Sequence, residues 1–155
     1  MGTVLAAIDV GTNAVRLELA RVLPDGSLET LREERDPIRP GESLFATGVM
    51  PEPVLGRLVV TLRRYGALCR RYHARVRAVA TSAVREARNH QAIIRRVRTE
   101  AGVDLDVVSG KEEARLICLG VLHDKPRHSR SLCIDIGGGS TEVAFARGEE
   151  PASLW

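Results

Sequence analysis

Two short segments of the chain place an aspartate and a glycine turn between two apolar runs. The first is Asp9-Val10-Gly11-Thr12-Asn13, and the second is Asp135-Ile136-Gly137-Gly138-Gly139-Ser140-Thr141-Glu142, about 126 positions later. An apolar run before and after each segment predicts a strand, a tight turn and a second strand. Glycine lets a turn pass through positive φ and lets its backbone N–H groups approach an anion. The sequence therefore predicts two facing hairpins that cradle a phosphate.

The aspartate at the rim of each hairpin adds a cation to this prediction. A carboxylate beside a phosphate repels it, so we expect Mg2+, or another divalent cation, between Asp9, Asp135 and the anion. One such turn alone would be an ordinary hairpin connection, but three consecutive glycines exceed what a hairpin needs. The candidate phosphate ligands are the turn residues of both hairpins: Gly11, Thr12, Asn13, Gly137, Gly138, Gly139, Ser140 and Thr141.

Further charged residues follow a predicted strand end or open a predicted helix. Arg85 lies in a segment of small residues, where an arginine can neutralise the charge of a transferring phosphoryl group. From the sequence alone, a surface salt bridge with Glu86 is the default role of Arg85. Glu112 has the spacing of a capping box with Ser109. Arg115 is either a substrate contact or the ion-pair partner of Glu112, and the pairing is favoured.

Four blocks in this order resemble the exopolyphosphatase and guanosine pentaphosphate phosphohydrolase (Ppx/GppA) family of the actin, Hsp70 and sugar-kinase superfamily. The blocks are residues 9–13, 80–87 with Asn89, 109–117 and 135–142. The family prefers serine at the positions of Thr12 and Ala14. Threonine keeps the hydroxyl, whereas Ala14 removes one possible phosphate contact.

The resemblance adds roles for several charged residues. It implies that Glu113 is the general base and that Arg85 belongs to the active site. Asp135 is the best candidate metal ligand, together with Asp9. Glu142 could orient water or the metal, or merely project from the start of a strand, and the resemblance favours the functional role, which makes Glu142 the third candidate ligand. The implied reaction is release of terminal orthophosphate from inorganic polyphosphate or guanosine pentaphosphate, with water activated by a glutamate. An actin-like ATP-binding kinase or ATPase lobe is an alternative, as is a non-catalytic module that binds polyphosphate or an alarmone. The sequence does not choose between the two hydrolase substrates.

Composition limits the other classes of function. The 155 residues are 44% apolar, without a transmembrane run or a secretory leader, which predicts a cytoplasmic protein with no membrane partner. A net charge of +3 and 3% aromatic residues argue against sequence-specific nucleic-acid binding. Three widely spaced cysteines indicate small buried thiols in a reducing compartment, and no zinc site is predicted.

The predicted elements follow the order βββαβαβαββ, which is typical of a ribonuclease-H-like (actin-like ATPase) domain with a mixed sheet flanked by helices. In the family such a domain is one lobe of two. We therefore expect residues 1–155 to form a single N-terminal lobe, with the second lobe absent from this chain and a homodimer formed by the intact protein. The predicted strands and helices are Val4–Asp9, Ala14–Val22, Ser27–Arg35, a helix from about Pro51, Val76–Ala80, a helix over about Gln91–Ala101, Leu105–Val108, a helix from Ser109 to about Leu122, and the last hairpin.

Overall fold

The computed structural model describes residues 2–123, 126, 129–148 and 150–154. The chain divides into two compact units, Met1–Val107 and Val108–Trp155. Each unit has its own sheet and its own cluster of buried apolar side chains. Within the described residues, no helix is both long enough and apolar enough to cross a membrane.

The first unit is built on a mixed five-stranded sheet in the order β3-β2-β1-β4-β5. Strand β1 pairs antiparallel with β2 and parallel with β4, which confirms the predicted mixed sheet. Two helices, α1 and α3, are single turns that the periodicity did not predict. The elements are β1 (Val4–Val10), β2 (Val15–Val22), β3 (Leu28–Asp36), α1 (Leu44–Thr47), α2 (Glu52–Arg71), β4 (Arg75–Ala80), α3 (Ser82–Arg85), α4 (His90–Arg96) with a π-helical continuation (Val97–Ala101), and β5 (Leu105–Val107).

Alternation along the strands decides which face of this sheet is buried. In β1 the side chains of Ala6, Ile8 and Val10 are buried, whereas those between them are more exposed. The buried side chains share one core with the apolar stripe of α2, which includes Leu58 and Leu62. Truncating a leucine in such a core costs about 2–5 kcal/mol. The sheet and α2 therefore hold the ends of β1 and β4 in place.

The second unit contains one helix and a three-stranded antiparallel sheet in the order β6-β7-β8. Its elements are α5 (Gly110–Leu122), β6 (Arg130–Ile136), β7 (Thr141–Arg147) and β8 (Glu150–Leu154). The α5 side chains Ala114, Cys118 and Leu122 recur every fourth residue and are buried. The last two share a cluster with Ala144 and Ala146 of β7, so α5 packs on the sheet face that those residues form.

Two features of the second unit go beyond the sequence prediction. Strand β8 extends the predicted order, because the segment 150–154 pairs with the free edge of β7 although it lacks an alternating apolar pattern. The sequence predicts a loop from Asp124 to Arg130 before the last hairpin. This segment lies partly outside the described residues, and its last residue, Arg130, already belongs to β6. The predicted hairpin of β6 and β7 is confirmed.

Candidate functional site

The two predicted glycine hairpins close with the same hydrogen bond. In the β1–β2 turn, the N–H of Gly11 donates to the carbonyl oxygen of Ala14 at 3.1 Å. In the β6–β7 turn, the N–H of Gly137 donates to the carbonyl oxygen of Ser140 at 3.0 Å. Strand pairing resumes at the next residue in both hairpins. Strand, tight turn and strand are therefore confirmed at both positions, and the two turns correspond residue by residue.

The first glycine of each turn lies near the carbonyl oxygen that closes the turn. A Cβ on Gly137 would lie 3.2 Å from the carbonyl oxygen of Ser140, and a Cβ on Gly11 would lie 3.4 Å from that of Ala14. The described glycines with positive φ lie elsewhere: Gly26, Gly48, Gly102 and Gly148. The expectation that the hairpin turns pass through positive φ is therefore wrong. At Gly137 a side chain would press on the carbonyl that closes the turn, whereas at Gly11 a Cβ would make an ordinary van der Waals contact.

The residues directly opposite the two aspartates differ in charge. Asp9 of β1 faces Arg16 of β2, whereas Asp135 of β6 faces Glu142 of β7. Directly opposed side chains share one face of an antiparallel pair, with Cβ atoms about 4.5–5.5 Å apart. A basic residue therefore accompanies the first aspartate, and a second acid accompanies the other. The two hairpins therefore have the same backbone arrangement, but the charges of the paired side chains differ.

The Glu142 carboxylate is buried without full compensation. The residue is 4% exposed, and its Oε2 atom has no hydrogen-bond partner among the described residues. A buried carboxylate costs several kcal/mol unless a cation or donors compensate it. A pocket beside it is lined by Ala114, Ile117, Cys133, Asp135, Glu142 and Ala144. The acidic pair Asp135–Glu142 therefore offers oxygen ligands to a hard divalent cation.

Protein side chains alone do not complete a metal site here. Among the described residues, no group of three or more His, Cys, Asp or Glu side chains is arranged to hold a metal ion. Mg2+ binds through one or two carboxylates together with waters and phosphate oxygens. The acidic pair fits this mode of binding and does not fit a cage made of protein ligands.

The start of α5 separates the two neighbouring glutamates. The Ser109 hydroxyl accepts a hydrogen bond from the N–H of Glu112 at 3.2 Å, which confirms the predicted N-cap. The Glu112 carboxylate accepts two hydrogen bonds of 2.8 Å from the Arg115 guanidinium. These bonds raise the pKa of Arg115. The favoured Glu112–Arg115 pairing is therefore confirmed. Glu113 is half-buried and lies one helical turn before Ile117, which lines the pocket.

The first hairpin turn is anchored by a buried hydroxyl pair. Thr12 Oγ1 and Ser82 Oγ lie 2.8 Å apart, and these residues are 9% and 3% exposed. The Thr12 carbonyl also accepts from the N–H of Gly41 at 2.9 Å. A Cβ on Gly41 would lie 2.4 Å from the Thr12 Cγ2 atom, so only glycine fits there. The Thr12 hydroxyl predicted to bind phosphate is thus engaged by Ser82, while Asn13 is exposed.

Arg85 ends the short helix α3 and pairs with its neighbour. Its Nε atom lies 3.2 Å from Glu86 Oε1, and its side chain is 22% exposed. The following segment is fastened to the loop before α2, because the Asn89 amide accepts from the N–H of Met50 and donates to its carbonyl, both at 3.0 Å. The segment 82–89, which contains Arg85, is therefore anchored at both ends, by the hydrogen bond of Ser82 to Thr12 and by those of Asn89 to Met50.

The predicted site residues divide between the two units. Asp9, the turn 11–13 and Arg85 belong to the first unit. Glu113 and the residues of segment 135–142 belong to the second. Sequence reasoning assigned no role to Ser82, which lies in the segment 80–87, or to Gly41. Their partners are distant along the chain, so no local pattern could have identified them.

The chain is similar to known proteins in sequence and in structure. The sequence model of the Ppx/GppA phosphatase family matches residues 21–155 of the chain. The chain is 32% identical over 150 residues to a guanosine-5'-triphosphate,3'-diphosphate pyrophosphatase of Photobacterium profundum. The aligned region covers 96% of this chain and 30% of that protein.

Two solved structures are similar over 99% of the chain. An exopolyphosphatase from Cytophaga hutchinsonii has a TM-score of 0.90 and 31% identity, and a Ppx/GppA family member from Aquifex aeolicus has a TM-score of 0.89 and 30% identity. The matched region is 49% of the first and 50% of the second. The chain therefore spans about half the length of these relatives, and the likeness confirms the predicted fold class.

Proposed function

Because the chain belongs to the Ppx/GppA phosphatase family, we propose that the protein is a metal-dependent hydrolase that releases terminal orthophosphate from inorganic polyphosphate, guanosine pentaphosphate or both. The names of the similar proteins support the reaction class. The observation that carries the proposal is the acidic pair Asp135–Glu142, with a buried carboxylate oxygen that lacks a partner, directly beside a glycine turn.

Asp135 and Glu142 are the proposed metal ligands of the second unit. Bound there, Mg2+ would neutralise the charge of phosphate oxygens and so reduce their repulsion by the carboxylates. Asp9 occupies the equivalent position in the first hairpin and is proposed as a ligand on that ground. Arg16 lies opposite Asp9, so this aspartate has the weaker need for a cation.

The exposed turn of the second hairpin is the proposed phosphate site. Gly137, Gly138 and Gly139 are exposed. The N–H of Gly137 closes the turn, so those of Gly138 and Gly139 are the proposed donors to an anion, and the hydroxyls of Ser140 and Thr141 follow directly. The N–H of Gly11 already donates to the carbonyl oxygen of Ala14, so the first turn is proposed to contribute through Asn13 and through the backbone N–H of Thr12. Phosphoryl transfer depends mainly on such positioning and on electrostatic stabilisation.

Glu113 is the proposed general base. It would take a proton from the water that attacks the terminal phosphorus, a role worth about 10²- to 10⁴-fold in rate. The neighbouring Glu112 is less suited, because Arg115 already donates two hydrogen bonds to its carboxylate. Arg85 is proposed to stabilise charge on the transferring phosphoryl group, in competition with its bond to Glu86.

The test is release of orthophosphate by the full gene product. Polyphosphate, guanosine pentaphosphate and ATP are compared side by side, with Mg2+ present or removed by a chelator. We expect release from one or both of the first two substrates, little from ATP, and loss of activity on chelation. Release from ATP alone would favour an ATPase instead. Tight binding of polyphosphate without any release would identify a binding module.

A further inference from the structure

We propose that Cys118 and Cys133 form a redox modification site, at which hydrogen peroxide drives a reversible disulfide between helix α5 and strand β6. Their sulfur atoms lie 3.9 Å apart, and both residues belong to the second unit. The two thiols are free in the structure. No part of the proposed hydrolysis uses either of them.

The geometry of the pair suits a disulfide. An S–S bond is about 2.05 Å long, so the sulfurs must approach by roughly 2 Å. Cys118 and Cys133 lie on two elements that pack against each other, so a small shift of α5 toward β6 brings the sulfurs together. The third cysteine, Cys69, is buried on α2 in the first unit and provides an internal control.

The exposure of the two thiols gives the order of the reaction. Cys133 is partly exposed, whereas Cys118 is fully buried, and burial raises the pKa of the Cys118 thiol. The peroxide O–O bond breaks as one oxygen is transferred to the Cys133 sulfur, giving a sulfenic acid and one water. Cys118 sulfur then attacks the sulfenic sulfur. The S–S bond forms, the S–O bond breaks, and the hydroxyl leaves as a second water with the Cys118 proton. The two thiols supply the two electrons that reduce the peroxide.

The position of the pair connects it to the proposed site. Cys133 precedes Asp135 by two residues on the same face of β6, and both line the pocket that includes Glu142. Cys118 lies on α5, the helix that carries Glu113. A disulfide would draw α5 and β6 together beside the acidic pair. We infer that oxidation weakens Mg2+ binding there, and this second step rests on the proposed function.

Peptide mapping tests the bond itself. Cys118 and Cys133 fall in different tryptic peptides, because Arg127 and Arg130 separate them in the sequence. After treatment of the full gene product with hydrogen peroxide and blocking of the remaining thiols, we expect one linked peptide pair, lighter than the sum of its parts by two hydrogen atoms. Dithiothreitol should release it. Absence of this linked pair, or a linkage through Cys69, would overturn the proposal whether or not the protein is an active hydrolase.

Thermal unfolding and phosphate release test the coupling. We expect oxidised wild type to lose most of its Mg2+-dependent rise in Tm and at least about tenfold in phosphate release, as a shift of about 1 Å in a site can cost more than this. Cys118→Ser and Cys133→Ser should resist peroxide, while Cys69→Ser should remain sensitive. A linked protein with unchanged Mg2+ response and unchanged activity would refute the coupling. Failure of the reduced wild type to release phosphate would instead count against the proposed function.

Discussion

Asp135 and Glu142 lie directly opposite each other on the antiparallel strands β6 and β7, and the second of these carboxylates is buried. Two like charges in this arrangement repel each other, and burial strengthens the repulsion. The equivalent pair in the other hairpin is Asp9 with Arg16, which carries opposite charges. The two hairpins therefore have the same strand–turn–strand backbone but differ in charge, and the second has the stronger need for an added cation.

The first prediction is that Glu142→Gln stabilises the protein when no divalent cation is present. The amide keeps the size of the side chain and removes one of the two opposed charges, so we expect a gain of about 1 kcal/mol in the free energy of unfolding. The same variant should lose the rise in Tm that Mg2+ gives the wild type. Thermal unfolding with Mg2+ and with a chelator measures both effects.

Glu33→Gln is the matched control for that prediction. Glu33 also faces a like charge across two strands, Glu18, but both residues are exposed. Its substitution should leave the Mg2+ response unchanged. A Glu142→Gln protein that is destabilised without the cation, or that still responds fully to Mg2+, would exclude the acidic pair as the metal site.

The second prediction separates the neighbouring glutamates of α5. Glu113→Gln should lower phosphate release by the full gene product about 10²- to 10⁴-fold while leaving substrate affinity nearly unchanged, because the shape remains and the base is lost. Glu112→Gln should weaken the half-buried ion pair with Arg115 and keep activity within a few-fold of wild type. Steady-state kinetics gives kcat and KM for each variant. Near-normal kcat in Glu113→Gln would rule out Glu113 as the base.

The third prediction concerns the hydroxyl pair of the first unit. Ser82→Ala leaves the buried Thr12 hydroxyl without its partner, which should cost about 1–3 kcal/mol in the free energy of unfolding. Thr12→Val should cost a similar amount, and the double variant should cost clearly less than the sum of the two. Urea unfolding of the four proteins completes the cycle. As a control, Thr99→Val at an exposed site should change the free energy of unfolding little. If the costs of Ser82→Ala and Thr12→Val were strictly additive, the hydroxyls of Thr12 and Ser82 would not interact.

The fourth prediction tests Arg85 against its ion-pair role. Arg85→Ala should lower kcat by about 10²- to 10³-fold if the guanidinium stabilises charge on the phosphoryl group. Glu86→Gln removes the carboxylate that the guanidinium contacts and should leave kcat unchanged or slightly raised. If both variants retain wild-type kcat and differ only slightly in stability, Arg85 forms a surface salt bridge and nothing more.

Much of the fold followed from local pattern. Alternating apolar residues in β1 and β2, the 3.6-residue period of α2, the cap at Ser109 and the stop at Gly102 depend on residues within a turn or two of one another. Such features depend on short-range backbone geometry, so the sequence determined them directly. The two glycine turns belong to the same class, because a hairpin brings together residues that are close along the chain.

Tertiary structure decided the contacts between distant segments. Ser82 meets Thr12 across 70 residues, and the burial of Glu142 depends on how α5 packs against the sheet of the second unit. Neither residue type reveals such a partner, because serine is common at exposed turns and glutamate on exposed strands. The sequence by itself determined where glycine turns and carboxylates occur along this chain. Which hydroxyl is engaged, and which carboxylate oxygen is buried without a partner, was decided only when packing removed those atoms from water.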